Sequence, residues 1–325
     1  MIARLSRWWP VILLAVLAAI PFTVDTWTVG TLSRTLAVGV LAISVALLTG
    51  IAGLPTLGQV APYAVGAYLT VALAAAGFSV GPMQLLLAAA AGAVFNAAIG
   101  AAVIRTRGAA FLMVTLAVCG LTEEVAQQWT SVTGGSDGTG WMPAFTLWWG
   151  GADVTDKSTV YWYALAVTAI AAAAMIALNR STAGTLVRAA RDDELRMRAS
   201  GHRVGVLLWG TYTVAGAVAG LAGGLLAEVV RFVSPSDVDL SASALVLLAV
   251  VIGGTSSIVG AVLGAAVLLV MQDQIITALG DAAQGQAPVV LGAVAVACVY
   301  LLPKGLSGLR EHLPRRRRSR RQEAA

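Results

Sequence analysis

Long runs of apolar residues, separated by short polar segments, dominate the pattern along this chain. They predict ten membrane spans, near residues 9–24, 33–50, 59–77, 83–104, 109–127, 159–178, 205–228, 241–253, 258–272 and 287–303. An apolar helix of about 20 residues crosses a hydrocarbon core of about 30 Å and satisfies its own backbone hydrogen bonds there. The short alternating segments of a membrane β-barrel do not occur. The fold class predicted is therefore all-α, a polytopic membrane protein of about ten transmembrane helices.

The eighth and ninth runs are short, and only GGTSS at 253–257 separates them. Glycine-interrupted pairs of this kind form either two helices or one broken helix in membrane proteins. The pattern leaves both arrangements open.

Composition excludes a soluble globular protein, because 58% of the residues are hydrophobic, 11% are charged and the mean hydropathy is +0.83. Lys and Arg accumulate in cytoplasmic loops, so their positions test the orientation. With the N-terminus inside, 18 of the 21 basic residues lie inside and only Arg34, Lys157 and Arg231 lie outside. We therefore predict that both termini are cytoplasmic, with an even number of spans.

Several functions are excluded by the residues that the chain lacks. Its two histidines lie in cytoplasmic basic stretches, and no Cys/His cluster has the spacing of metal ligands, so no metal site is expected. Neither lysine stands in a GxxxxGK[ST] motif, so this chain is not expected to bind ATP. The basic tail at 311–325 suits a surface of anionic lipid, and no nucleic acid partner is expected.

Glycine, proline and polar residues interrupt the apolar pattern at 50–70, GIAGLPTLGQVAPYAVGAYLT. Such a break is tolerated at membrane depth only against protein or a water-lined cavity. Close helix packing and the lining of a solute path both remain open for this segment. Glu123 lies about fifteen residues into the fifth span, and it either faces that path or reaches the outer headgroups. Glu228 lies at a predicted outer end, where we expect its carboxylate to reach the headgroups.

The longest predicted cytoplasmic loop runs from 179 to 204 and contains two short helical patterns. Residues 185–200 lack Pro and Gly, the acidic run Asp192, Asp193 and Glu194 suits a second helix start, and Gly201 suits its end. Its basic charge follows from topology and identifies no partner.

These segments resemble a known family. GIAGLPTLGQVAPYAVGAYL, RTRGAAFLMVTLAVCGLTEEV, VTGGSDG and RAARDDELRMRASGH occur in the order found in permease subunits of branched-chain amino-acid ABC importers. AGLAGGLLAEVVRFVSPSDVDLSASALVLLAVVIGGTSSIVGAVLGA and LLPKGLSGL complete the series, which is more similar to the LivM type than to the H-type. Thr56 stands where the family usually has Ser. The resemblance covers most of residues 35–310.

The resemblance implies an importer permease in a bacterial inner membrane, multi-pass and paired with a second permease subunit as a heterodimer. Two cytoplasmic ATPase subunits would carry ATP and Mg, no cofactor would bind this chain, and an extracytoplasmic binding protein would deliver the solute. The implied ATPase-coupling residues are Ala189, Ala190, Arg191, Asp192, Glu194 and Gly201. The implied path residues are Gln59, Tyr63, Gly66, Tyr68, Thr115 and Glu123. The implied outer-loop contacts are Gly134, Gly135 and Gly138.

The prediction as a whole is a permease domain at 1–310, with a coupling loop at 179–204, an outer loop at 128–158 and a tail at 311–325. Five plus five spans would permit an inverted repeat, which suits alternating access. The cargo that the resemblance implies is a branched-chain amino acid, or alternatively urea or an amide. An ATP-independent secondary transporter or channel, and less readily a membrane-embedded enzyme, remain as alternatives of other classes.

Overall fold

The computed structural model describes residues 26–140, 142–279 and 292–293 of the 325-residue chain. The predicted first span at 9–24, most of the predicted tenth span at 287–303 and the tail at 311–325 therefore lie outside the described residues. The described part is mainly helical.

The ten principal helices are numbered in chain order. They are α1 Thr26–Ala46, α2 Val60–Ala75, α3 Gly81–Val103, α4 Ala109–Gln128, α5 Lys157–Arg180, α6 Thr182–Asp192, α7 Glu194–Ala199, α8 Val204–Val230, α9 Leu240–Gly253 and α10 Ile258–Leu279. A π-helical segment, Leu47–Ala52, continues α1. Single turns occur at Thr130–Thr133, Gly135–Asp137 and Pro235–Val238, and strands β1 Thr139–Gly140 and β2 Phe232–Val233 pair antiparallel.

Eight of these helices coincide with the second to ninth predicted spans, and α6 and α7 form the predicted helical pair of the cytoplasmic loop. Among the described residues, five helical segments are long and apolar enough to cross a membrane, namely Thr28–Ala52, Gly81–Val103, Ala109–Gln128, Lys157–Arg180 and Val204–Val230. By contrast α2 has 16 residues and α9 has 14, so each extends about 20–25 Å. The count of ten spans and the inverted repeat stay predictions.

Short polar residues begin several helices where the chain re-enters the membrane or lies beside it. Asp156 accepts a hydrogen bond from the backbone of Thr159 at the start of α5, and Asp239 accepts one from Ala242 at the start of α9. Ser181 caps α6 in the same way. These side chains satisfy backbone N–H groups that a helix start leaves without partners.

Helix α8 is the centre of the fold and packs against α1, α2 and α3. Its glycines allow this, because a side chain would collide with the neighbouring backbones. A Cβ atom on Gly220 would lie 2.3 Å from the carbonyl oxygen of Ala88 in α3, and one on Gly223 would lie 1.9 Å from that of Tyr63 in α2. Glycine contacts of this kind bring helix backbones together and maximise dispersion contacts.

The region at 241–272 forms two helices joined by a turn, which decides between the two arrangements left open by the sequence. Helices α9 and α10 pack against each other along small residues. A Cβ on Gly253 would lie 2.0 Å from the carbonyl oxygen of Gly260, and one on Gly264 would lie 2.0 Å from that of Ala249. The pairing of 253 with 260 and of 249 with 264 is that of an antiparallel hairpin.

The substitution Gly220→Ala is expected to lower the thermal stability of the purified chain, by about 1–3 kcal/mol, because the added methyl group must displace the α3 backbone. The matched control is Gly210→Ala in the same helix, where a Cβ atom meets nothing within 4 Å. Thermal unfolding in detergent measures both variants. Equal stability of the two variants would contradict the packing described for α8.

Candidate functional site

The break between α1 and α2 is the first part of the candidate site. After the π-helical segment, Gly53 adopts a φ of +69°, and residues 53–59 continue outside any regular helix until α2 begins at Val60. The left-handed conformation favours glycine, and Pro55 disfavours the helical conformation in the residue before it. Leu54, Thr56 and Gln59 are nonetheless buried, so this irregular backbone lies inside the protein.

Gln59 sits at the start of α2 and is 1% exposed. The hydroxyl of Ser44 in α1 lies 2.9 Å from Gln59 Oε1 and 2.7 Å from the carbonyl oxygen of Ala215 in α8. The amide nitrogen Nε2 of Gln59 has no hydrogen-bond partner within the described residues. A buried donor without a partner is costly, so this amide is a polar feature of the break that packing alone does not explain.

Helix α4 closes the other side of the break through Thr115, which is fully buried. The backbone N–H of Leu57 donates to Thr115 Oγ1 at 3.4 Å, and a Cβ atom on Gly58 would lie 2.8 Å from the Thr115 carbonyl oxygen. Thr56 Oγ1 accepts a hydrogen bond from the N–H of Gly58. A serine would supply the same hydroxyl, so threonine at this position preserves the turn.

The remaining predicted path residues divide between packing and polar positions. Gly66 is a helix contact, since a Cβ atom there would lie 2.1 Å from the carbonyl oxygen of Gly220. Tyr63 and Tyr68 are buried in α2, and the Tyr68 hydroxyl has no partner within the described residues. Glu123 lies apart from the break, near the outer end of α4, where Gln127 Nε2 donates to its carboxylate. The structure thus brings Gln59 and Thr115 to one break.

Glu228 corrects an expectation from the sequence. Its carboxylate is enclosed within the protein and does not project from it, because the residue is only 2% exposed. The segment that carries Phe145 packs over Glu228. The start of α3 at Gly81 and the hydroxyl of Tyr163 lie next to the carboxylate. This hydroxyl is a polar neighbour of the carboxylate. The position of Glu228 at the end of an apolar run had predicted an exposed carboxylate, and the structure shows a buried one.

The cytoplasmic helix pair α6–α7 is the second part of the candidate site, and Arg191 connects it to the break. The guanidinium of Arg191, in the last turn of α6, donates to the carbonyl oxygen of Gly50 in the π-helical segment. The Arg191 side chain also packs against Gly53, in the space that a side chain there would occupy. A Cβ atom on Gly53 would lie 2.6 Å from Arg191 Cγ. On its other side, Gly50 meets the α9–α10 turn, because a Cβ atom on Gly50 would lie 1.6 Å from the Thr255 carbonyl oxygen.

A second attachment joins α7 to the loop between α3 and α4. Arg107 donates to both carboxylate oxygens of Glu194, at 3.2 and 3.1 Å, and Arg198 donates at 2.6 Å from the same helix. The hydrogen bond from Arg107 is the main cause that lowers the pKa of the Glu194 carboxyl from its ordinary value, and Arg198 adds to it. Bidentate pairing of this type fixes orientation as well as distance.

The other predicted coupling residues take three different positions. Ala190 is buried and Ala189 is partly buried, and both pack towards the membrane helices. Asp192 is exposed, and Gly201 follows α7 with a φ of +83°. Leu195 was not singled out from the sequence, yet it is 81% exposed at the tip of the pair. A single leucine among charged residues forms no pattern in the sequence that would have identified it as a site residue.

The outer loop gives its three predicted glycines a conformational role. Gly134, Gly135 and Gly138 have φ angles of +75°, +67° and +72°. A Cβ atom on Gly138 would lie 2.6 Å from the carbonyl oxygen of Val233 in the β ribbon, so this glycine also permits a close approach. A role in contacting a binding protein stays a prediction.

Comparison with known proteins gives one family and two close relatives. The family described as branched-chain amino acid transport system / permease component matches residues 27–299. The chain is 30% identical over 322 residues to the high-affinity branched-chain amino acid transport system permease protein LivM of Escherichia coli (strain K12), covering 91% of this chain and 73% of that protein. The LivM protein of Salmonella typhimurium (strain LT2) is also 30% identical, over 320 residues, with 90% and 73% covered. No solved structure matches significantly.

The Glu194 ion pair predicts a specific pH dependence. Because the folded-state pKa of Glu194 is depressed, its contribution to stability is full above the ordinary value of 4.5 and is lost as the pH falls through the folded-state pKa. We expect Glu194→Gln to destabilise the chain at pH 7, by less than about 1 kcal/mol because the pair is partly exposed, and to match the wild type at low pH. Thermal unfolding at pH 7 and pH 3 measures this difference.

The control for that measurement is Asp192→Asn, an exposed neighbour with no ion pair among the described residues. A destabilisation by Glu194→Gln that persisted undiminished at pH 3 would contradict the assignment of this carboxylate to an ion pair.

Proposed function

The chain belongs to the family of permease components of branched-chain amino acid transport systems, and we propose that it forms one half of the membrane pathway of an ATP-driven importer. Its cargo is a branched-chain amino acid, and a related small polar solute such as urea or an amide is the alternative within the same family. The importer resides in a bacterial inner membrane, with both termini of this chain in the cytoplasm.

The observation that carries this proposal is the contact between Arg191 and Gly50. It joins a helix pair outside the membrane to an irregular segment within it. A cytoplasmic partner that moved α6 would act directly on the backbone of the break, where Gln59 lies and which Thr115 of α4 contacts through Leu57. Transport driven from the cytoplasm requires such a connection, because a partner shifts a conformational equilibrium only through contacts that differ between the two states.

The proposed partners follow from the family to which the chain belongs. Its sequence has no P-loop, so ATP and Mg would bind to two separate cytoplasmic ATPase subunits. The exposed residues Asp192 and Leu195 would face those subunits. A second permease subunit would complete the pathway as a heterodimer within the lipid bilayer, and an extracytoplasmic binding protein would deliver the solute near the outer loop. Neither a cofactor on this chain nor a nucleic acid belongs to this scheme.

Uptake by this permease is expected to require a separate ATPase. Vesicles that contain both permease subunits, with the binding protein and labelled leucine outside, should accumulate leucine only when the ATPase subunits and ATP are enclosed. A matched preparation without the ATPase is the control. Uptake in that control, driven by an ion gradient, would identify a secondary transporter and refute the proposal. Uptake of urea but not leucine would change only the cargo.

The substitution Arg191→Ala is expected to reduce uptake by about ten-fold or more, since it removes a charge-assisted hydrogen bond worth about 1.5–3 kcal/mol. ATP hydrolysis by the assembled complex should continue, because the exposed residues Asp192 and Leu195 are unchanged. The control Arg196→Ala removes a neighbouring exposed arginine on α7 and should leave uptake near the wild-type rate. Parallel loss of uptake and of complex assembly in Arg191→Ala would show instead that this arginine only stabilises the fold.

A further inference from the structure

A groove of about 710 Å³ opens where the cytoplasmic ends of α3 and α8 meet α7. It lies outside the break and contains none of the predicted path residues, while Glu194 and the exposed Leu195 of α7 line its edge. In the described part of the chain, Ile104, Val206 and Trp209 form an apolar wall, and Arg105, Arg107 and Arg198 form a basic rim. The groove thus combines an apolar surface and a cationic surface at one end of the spanning helices.

The charges of the groove are unequal. Three arginines line it against one acid, Glu194, which gives a net charge of +2 for these four side chains (3 − 1). Arg107 and Arg198 both use the Glu194 carboxylate. Arg105 is exposed, and no hydrogen bond or ion pair of its side chain is found within the described residues. The rim therefore carries positive charge that the described residues do not neutralise.

The apolar wall is open and is held in a fixed orientation. Val206 is 60% exposed and Trp209 is 40% exposed. The indole Nε1 of Trp209 donates a 2.8 Å hydrogen bond to the carbonyl oxygen of Ala97 in α3, which fixes the ring across the α3–α8 boundary. Tryptophan prefers the membrane–water interface, because its ring is apolar and its N–H is polar. The wall thus lies at the level where acyl chains begin.

We infer that this groove binds the phosphate headgroup of an anionic phospholipid, with the first part of an acyl chain against Val206 and Trp209. A phosphodiester supplies the negative charge that the rim lacks, and Arg105 can donate two hydrogen bonds to it. Basic pockets between spanning helices on the cytoplasmic side are suited to such headgroups. A free phosphate ion would match the rim but leave the apolar wall uncovered, so the lipid fits the whole groove.

The lipid would also contact the moving part of the proposed permease, because Arg198 and Glu194 belong to α7. Bound there, it would bridge α7 to the ends of α3 and α8. This binding depends only on the chain's being embedded in a membrane, so it stands apart from the proposed cargo and from the need for an ATPase.

The first test counts bound lipids by native mass spectrometry of the full chain, after exchange into micelles that contain phosphatidylglycerol or phosphatidylcholine. We expect phosphatidylglycerol to be retained preferentially, and Arg105→Gln to weaken its retention about five-fold, the effect of one arginine near a lipid surface. The control Arg203→Gln removes the same charge from the same face but outside the groove. Equal loss in both variants, or no preference in the wild type, would overturn the assignment, since general surface attraction would then explain the binding.

The second test locates the acyl chain and distinguishes the sources of phosphate. Phosphatidylglycerol brominated on its acyl chains should quench a component of the tryptophan fluorescence that is missing from Trp209→Phe. Millimolar glycerol 3-phosphate should not displace the lipid, and displacement would show a site for soluble phosphate. Release of the lipid when the complex is assembled with its ATPase would show that the groove is a protein-docking surface and would also overturn the inference.

Discussion

The close approach of backbones along α8 is the constraint on which the rest of this structure depends. In a bilayer, water does not drive helices together, so association depends on dispersion contacts and on how near the backbones can come. Gly220 meets α3 and Gly223 meets α2, each within a distance that excludes any side chain. These contacts place α2, α3 and α8 in one rigid group. The break between α1 and α2 therefore adjoins a group of closely packed helices.

That framework explains how an irregular segment persists at membrane depth. Residues 53–59 leave backbone groups without helical partners, and lipid would make that arrangement too costly. Here most of the segment is buried in protein, although Gly53 is exposed. Leu57 donates to Thr115, while Ser44 connects Gln59 to α8. Polar side chains of α1 and α4 thus replace solvent around the break. The same burial that stabilises the segment leaves the Gln59 amide nitrogen without a hydrogen-bond partner among the described residues.

Hydropathy was sufficient to predict the described helices, because apolar length decides whether a helix can span, and glycine and proline marked the break. The helix pair α6–α7 was likewise predictable from Asp193 and Gly201, since caps are local. What remained hidden depends on contacts between distant residues. Arg191 and Gly50 are 141 positions apart, so their hydrogen bond has no local signature. Glu228 was expected at the surface because α8 ends there, but the outer segment around Phe145 folds over it. The β ribbon of two residues per strand is too short to produce an alternating pattern.

The two attachments of the helix pair α6–α7 differ in chemistry, and the difference affects how a movement of the pair would reach the break. Arg191 ties α6 to the break through a neutral carbonyl within the protein, whereas Glu194 ties α7 to the α3–α4 loop through partly exposed charges. Between them, Asp193 has an extended backbone, with φ −154° and ψ +95°. Two rigid helices joined by one extended residue can change their mutual angle without unfolding either. Both attachments are partly exposed, since Arg191 lies at the surface of α6 and the Arg107–Glu194 pair is half-buried, so solvent weakens both of them. A force on α7 would then turn it about Asp193, and the break would move only when α6 followed.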